Sequence, residues 1–183
     1  MGKGERLSRT FGAAEVTADQ RRDLIRRTFR VVAPRYDLMN DLMSMGVHRL
    51  WKAAFVDLAG AAPDQFAIDL GGGTGDIAIA LAQRGAQVAV VDPSAEMMAI
   101  GRRRAGAQHV RWIAAEGERL PFADNSVDLL TIAFGIRNVT RIEDALAEIA
   151  RVLKPGGRFL CLEFSTPATW LRPFYGLWSR TAI

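Results

Sequence analysis

The pattern of apolar and polar positions changes character near residue 63. Before it, Leu24, Ile25, Phe29 and Val32 recur at helical spacing and predict a helix over 19–32, with Arg21, Arg22, Arg26, Arg27 and Arg30 around them. Thr17 or Asp19 is the candidate cap. Pro34 interrupts, and a second helical run extends from Tyr36 to Leu58, either continuous or split at Gly46. Residues 1–18 show no period and read as a loose arm, and Gly60–Asp64 reads as a linker. After Pro63, short apolar runs alternate with helical ones. Strands are expected at 66–70, 87–92, 110–114, 127–133 and 158–164. Helices are expected at 76–84, 94–104 and 142–153, the last stopped by Lys154-Pro-Gly-Gly. This alternation predicts an α/β fold, a parallel sheet with helices on both faces, over residues 61–183. Residues 1–60 then form an N-terminal helical arm or lid.

At 183 residues the chain is expected to be one domain with a short appendage. With 49% hydrophobic and 24% charged residues, the composition excludes a disordered chain. Cys161 stands alone, so no internal disulfide forms and a reducing compartment is expected. His48 and His109 lack the companions and spacing of a zinc site. No apolar run approaches the ~18 residues of a membrane span, and the N-terminus does not read as a signal peptide. The expected location is therefore the cytoplasm. The net charge of +4 arises in residues 1–60, which hold 11 Lys/Arg against 7 Asp/Glu, while the remainder is balanced at 13 against 13. No nucleic-acid recognition signature accompanies it, so no nucleic-acid partner is expected. The basic helix at 19–32 suits either a solvated face or an anionic membrane surface.

Candidate chemistry begins where the first strand of the α/β region turns into a helix, at Asp69-x-Gly71-x-Gly73-x-Gly75. Glycines there allow a tight turn and close approach of a ligand. Asp92 ends the next strand, where a carboxylate accepts hydrogen bonds from both hydroxyls of a ribose. A nucleoside-triphosphate loop would carry Gly-Lys-Ser/Thr, which is absent. A dinucleotide fingerprint would place Gly where Asp76 stands. Asp69 and Asp76 would repel a pyrophosphate but suit the ammonium and sulfonium of S-adenosylmethionine; Asp76 also suits a helix cap. After the third strand, Glu116 and Gly117 are placed to meet an adenine.

Two further stretches are recognisable. They are Tyr36-Asp-Leu-Met-Asn-Asp-Leu-Met-Ser-Met-Gly-Val-His-Arg-Leu-Trp51 and Phe134-Gly-Ile-Arg-Asn-Val139, the latter followed by Arg151-Val-Leu-Lys-Pro-Gly-Gly-Arg-Phe-Leu-Cys-Leu-Glu-Phe-Ser165. On these segments the chain resembles the ubiquinone/menaquinone biosynthesis C-methyltransferase family, a class I S-adenosylmethionine-dependent group with a Rossmann-like fold, over roughly residues 10–180. The resemblance implies cofactor contacts at Thr74, Asp92, Glu116 and Gly117, and at Ala133 through its backbone. It also implies a sheet extending past the fifth strand. The chain stops at Ile183, so the last strands are expected to be missing and the strand at 158–164 to be an edge open to self-association.

The implied reaction puts a methyl group on a ring carbon of a reduced polyprenyl benzoquinol or naphthoquinol. Arg137 and Asn138 are the candidates to stabilise the developing oxyanion. Tyr36 and Asp37 are expected to close over the substrate. His48 is read as orienting its helix beside Trp51, with a role as base left open. Met39, Met43, Met45, Trp51 and Phe55 form a stripe that reads as core or as a lid for the prenyl tail. Expected partners are the quinol, the membrane surface as a peripheral contact, and a second copy or a quinone-biosynthesis complex. Other readings are a class I methyltransferase for another small molecule and a non-catalytic cofactor-binding partner.

Overall fold

The computed structural model describes residues 10–11, 14–33, 39, 41, 44 and 46–164. Two short strands, β1 (Thr10–Phe11) and β2 (Ala14–Glu15), pair antiparallel where a loose arm was expected. Helix α1 (Ala18–Val32) opens on Thr17, whose hydroxyl accepts from the Gln20 N–H while the Gln20 side chain accepts from the Thr17 N–H. This reciprocal pair satisfies two donors that the first turn leaves open. Helix α2 (Val47–Ala59) starts after Gly46, whose φ of 77° breaks the second helical run at the one residue that tolerates it.

From Phe66 the chain lays down β3 (Phe66–Leu70), α3 (Asp76–Gln83), β4 (Gln87–Val91), α4 (Ala95–Gly101), β5 (Val110–Ile113), β6 (Val127–Ala133), α5 (Ile142–Val152) and β7 (Leu153–Leu162). The five long strands form one parallel sheet in the order β5-β4-β3-β6-β7. Apolar side chains cover both faces, as a buried parallel sheet demands. Val88 and Val90 pack with Phe55, Val56, Ile77, Leu81 and Met98 on one side. Ile68, Leu70, Val91 and Ile132 pack with Ile149 and Val152 on the other. Thus α2, α3 and α4 cover one face and α5 the other.

The last strand departs from expectation. It begins at Leu153 rather than near Arg158 and ends at Leu162 rather than Phe164. Val127 pairs with Leu153 and Leu129 with Arg158, so the Lys154–Gly157 turn bulges from the ladder. Lys154 secures it by bonding Asp128 at 2.7 and 2.8 Å. Among the described residues β7 pairs only with β6 and forms one edge of the sheet. No helix among them is long and apolar enough to cross a membrane.

Candidate cofactor and methyl-transfer site

The carboxyl ends of β3, β4, β5 and β6 converge at one edge of the sheet, and the loops leaving them bound two neighbouring cavities. The larger is lined by Gly71, Gly73, Asp92, Glu116, Gly117, Ala133, Phe134 and Asn138. The smaller lies on the other side of the glycine loop, among Lys52, Asp69, Gly72, Thr74 and Asp76. Gly71, Gly73, Ala133 and Phe134 line both, so a ligand that crosses the loop occupies each with one end.

The loop is tight at Gly72 and Gly73. A Cβ on Gly72 would stand 2.6 Å from Asp69 Oδ2. Gly73, at φ 54°, turns its N–H onto Asp92 Oδ2 at 2.9 Å, and a Cβ there would meet the Met97 methyl at 3.1 Å. Asp92 Oδ1 accepts from the Ser94 N–H at 2.7 Å, which locks the carboxylate at the cavity wall. Burial pushes the Asp92 carboxyl up, against the pull of the two N–H donors, and the nearby Glu116 charge adds to the rise.

Asp69 is fully buried beneath the loop. Its Oδ1 accepts from the Thr131 hydroxyl at 3.0 Å, whereas Oδ2 has no hydrogen-bond partner. Burial raises this carboxyl to about 7, the Thr131 bond opposing it. Asp76 differs. Its Oδ2 is bonded by Lys52 at 2.6 Å and its Oδ1 by Arg104 at 2.5 Å. Burial alone would raise Asp76; the two cations outweigh it and hold the carboxyl below its ordinary value. Asp76 makes no capping bond, and its charge is matched within the protein rather than left free for a ligand. Thr74 is buried, its hydroxyl accepting from Arg104 at 3.0 Å, and Gly75 caps α3.

Helix α1 lies over the larger cavity, and the sequence reading named none of its residues as part of the site. Arg22, Ile25, Arg26 and Phe29 line it. Arg26 forms an ion pair with Glu116 Oε1, with Arg22 Nε 3.9 Å from the same oxygen. Arg30 bonds Glu96 at 2.8 Å. Arg21 is buried and donates to the carbonyls of Arg137, Val139 and Asn138 at 2.7, 3.1 and 3.4 Å. Of the basic face read as solvated or lipid-facing, Arg21 is thus buried and Arg22 half-buried, while Arg26, Arg27 and Arg30 remain exposed, Arg26 and Arg30 paired with carboxylates.

The proposed catalytic pair divides. Asn138 lines the larger cavity. Arg137 instead donates to Glu163 Oε1 at 2.6 Å and lies 5.2 Å over the Phe164 ring. That ring stacks on Phe134 at 4.7 Å and meets Trp51 edge-on at 5.9 Å. Phe134 holds φ 56°, an uncommon conformation that aims its ring between the two cavities and this aromatic cluster. Tyr36 and Asp37 lie outside the described residues, as do Met43 and Met45. Of the apolar stripe, Phe55 is buried in the core while Trp51 is 41% exposed. His48 is buried, 2.7 Å from the Ser44 hydroxyl; burial and the Lys52 charge lower its pKa.

The donor set fits an adenosine carrying a cationic tail. Asp92 and Glu116 line the larger cavity and Asp69 the smaller, carboxylates of the kind that the hydroxyls, amino group and cationic tail of such a ligand call for. A parallel α/β sheet with such a site at its carboxyl edge defines a class I methyltransferase, and S-adenosylmethionine is its cofactor. The solved structures similar to this chain share that sheet. The Bacillus subtilis YcgJ protein aligns at 28% identity over 66% of this chain and 53% of its own, with a TM-score of 0.59. A geranyl diphosphate C-methyltransferase from Streptomyces coelicolor, determined with S-adenosyl-L-homocysteine, aligns at 25% identity over 75% of this chain and 57% of its own, with a TM-score of 0.58.

The chain belongs to the ubiE/COQ5 methyltransferase family, whose model matches residues 15–183. It is 61% identical over 183 residues to the ubiquinone/menaquinone biosynthesis C-methyltransferase UbiE of Rubrivivax gelatinosus, covering all of this chain and 72% of that protein. The UbiE of Paracoccus denitrificans is 47% identical over 94% of this chain and 72% of its own length.

Proposed function

We propose that the protein methylates a ring carbon of a reduced polyprenyl benzoquinol or naphthoquinol in ubiquinone or menaquinone biosynthesis. The observation that carries this reading is the 61% identity, across the whole chain, to a C-methyltransferase of that name. When bound, S-adenosylmethionine supplies an electrophilic methyl group on a sulfonium. Asp92 accepts from the ribose hydroxyls, Glu116 and the Gly117 N–H hold the adenine, and Asp69 takes the ammonium. The Gly71, Gly73 and Gly75 backbone, with Thr74 and the Ala133 backbone, shapes the crossing between the cavities.

Carbon is a weak nucleophile, so the quinol hydroxyl must lose proton density as the new bond forms. Asn138 at the cavity wall and Arg137, braced by Glu163, stabilise the oxyanion that develops there. The ring of the substrate lies near Phe134, and Tyr36 and Asp37 close over it. A prenylated substrate partitions into lipid, so the enzyme meets the membrane peripherally. The exposed Leu50 and Trp51 of α2 offer an apolar contact for it.

The test is incubation with methyl-labelled S-adenosylmethionine and a demethyl-quinol, reduced or oxidised, with products analysed by mass. One labelled methyl on the ring of the reduced substrate alone is expected. Transfer to a different class of small molecule, with none to the quinol, would overturn the assignment.

A further inference from the structure

Lys52 belongs to α2, outside the sheet, yet its side chain reaches the smaller cavity under the glycine loop. Phe55, Val56 and Ala59 are buried on α2, and docking that face against the sheet carries Lys52 to the loop. Its ammonium donates to Asp76 Oδ2 at 2.6 Å. An ammonium has three N–H donors, so one bond to Asp76 leaves capacity for an added acceptor. Beside it, Asp69 Oδ2 is buried with no partner.

The cavity thus presents one cation with donors to spare and one unsatisfied carboxylate oxygen. A ligand end bearing only a positive charge would satisfy Asp69 and confront Lys52. One bearing only a negative charge would do the reverse. An α-amino-acid end, with ammonium and carboxylate on one carbon, meets the Asp69 oxygen and a spare Lys52 donor at once.

We propose that Lys52 is a specificity-determining residue that binds the α-carboxylate of the cofactor while Asp69 takes its ammonium. Asp76 is then a positioning residue, aiming Lys52 through their shared bond. This assignment rests on the reading of S-adenosylmethionine as cofactor. It makes the N-terminal helical segment part of the cofactor site, and it separates the cofactor from adenosine ligands that lack a carboxylate.

The experiment measures binding of three ligands by calorimetry to the full chain and to Lys52→Met and Lys52→Arg. S-adenosylhomocysteine carries ammonium and carboxylate, its decarboxylated analogue the ammonium alone, and methylthioadenosine neither. Lys52→Met should weaken S-adenosylhomocysteine by about tenfold or more, as expected for a hydrogen bond to a charged group. Methylthioadenosine should change by less than about twofold, the decarboxylated analogue, relieved of the Lys52 charge, should bind no more weakly than before, and Lys52→Arg should recover much of the loss. Equal weakening of all three ligands would assign Lys52 a structural role and overturn the proposal. So would unchanged binding of S-adenosylhomocysteine, or an unsubstituted chain that binds none of the three. A binding pattern as expected, in a protein that methylates no quinol, would sustain this inference and refute the substrate assignment alone.

Discussion

The buried carboxyl of Asp69 makes cofactor affinity depend on pH in a direction that the structure determines. In the free protein its pKa stands at about 7 instead of 3.8, a gap of about three pH units or on the order of 4 kcal/mol against the charged form. An ammonium placed against Oδ2 requires that charged form, so binding releases a proton wherever the free carboxyl still holds one. Lowering the pH from about 7.5 to about 5.5 should then weaken S-adenosylhomocysteine by roughly 25-fold, the ratio of ionised fractions for a group titrating near 7. Lys52, Asp76 and His48 share this neighbourhood. Asp69→Asn isolates the contribution of Asp69: it should bind weakly at the higher pH and show little further loss. Calorimetry in two buffers of different ionisation enthalpy counts the released proton, with methylthioadenosine as the pH-insensitive control. An affinity that is flat with pH, or a slope shared by methylthioadenosine or by Asp69→Asn, would refute the reasoning. Linkage gives the free protein the opposite trend. The folded chain holds this proton up to about 7 while the unfolded chain loses it near 3.8, so the contribution of Asp69 to stability falls as pH rises through that window.

Asp92→Ala removes the fixed carboxylate at the cavity wall and should cost ~1.5–3 kcal/mol of S-adenosylhomocysteine binding; an unchanged dissociation constant would remove Asp92 from the site. Arg21→Met keeps the stem but strips donors from three carbonyls at 137–139, so the urea midpoint should fall by the equivalent of ~2–3 kcal/mol. Native-state hydrogen exchange should show α1 loosening first, and an unaltered midpoint would mean that α1 is held by its apolar face alone. Arg137→Ala should lower turnover of a reduced quinol by ~100-fold or more with little change in cofactor affinity, because its charge acts as the oxyanion develops; unchanged kinetics would return it to bracing Glu163 and Phe164.

Much of the architecture was legible because it is coded locally. The strands Phe66–Leu70 and Val127–Ala133 begin and end where their apolar runs do. Thr17, Gly46 and Ser94 mark helix starts by chemistry that operates within four residues. A parallel sheet then brings the ends of its strands to one edge, so the pattern of strands alone gathers Asp69, Asp92 and Glu116 there. The edge strand was less legible, since the Lys154–Gly157 turn reads as a stop signal and its absorption as a bulge depends on Asp128 in the neighbouring strand.

The charges were decided only by tertiary structure. Along the chain, Arg21, Arg22 and Arg26 look like a solvated helix face, and Asp76 looks like a carboxylate awaiting a cation. In three dimensions Arg21 is anchored on carbonyls more than a hundred positions away, Arg26 lies on Glu116, and Asp76 is matched by Lys52 and Arg104. Asp69, on β3 at the other end of the glycine loop, is left with an oxygen unspent. The reason is physical. Hydrophobic periodicity binds a residue to neighbours three or four positions away, so the sequence carries it explicitly. An ion pair is selected by sign and distance alone, and 24 basic and 20 acidic side chains admit far more pairings than one fold can realise.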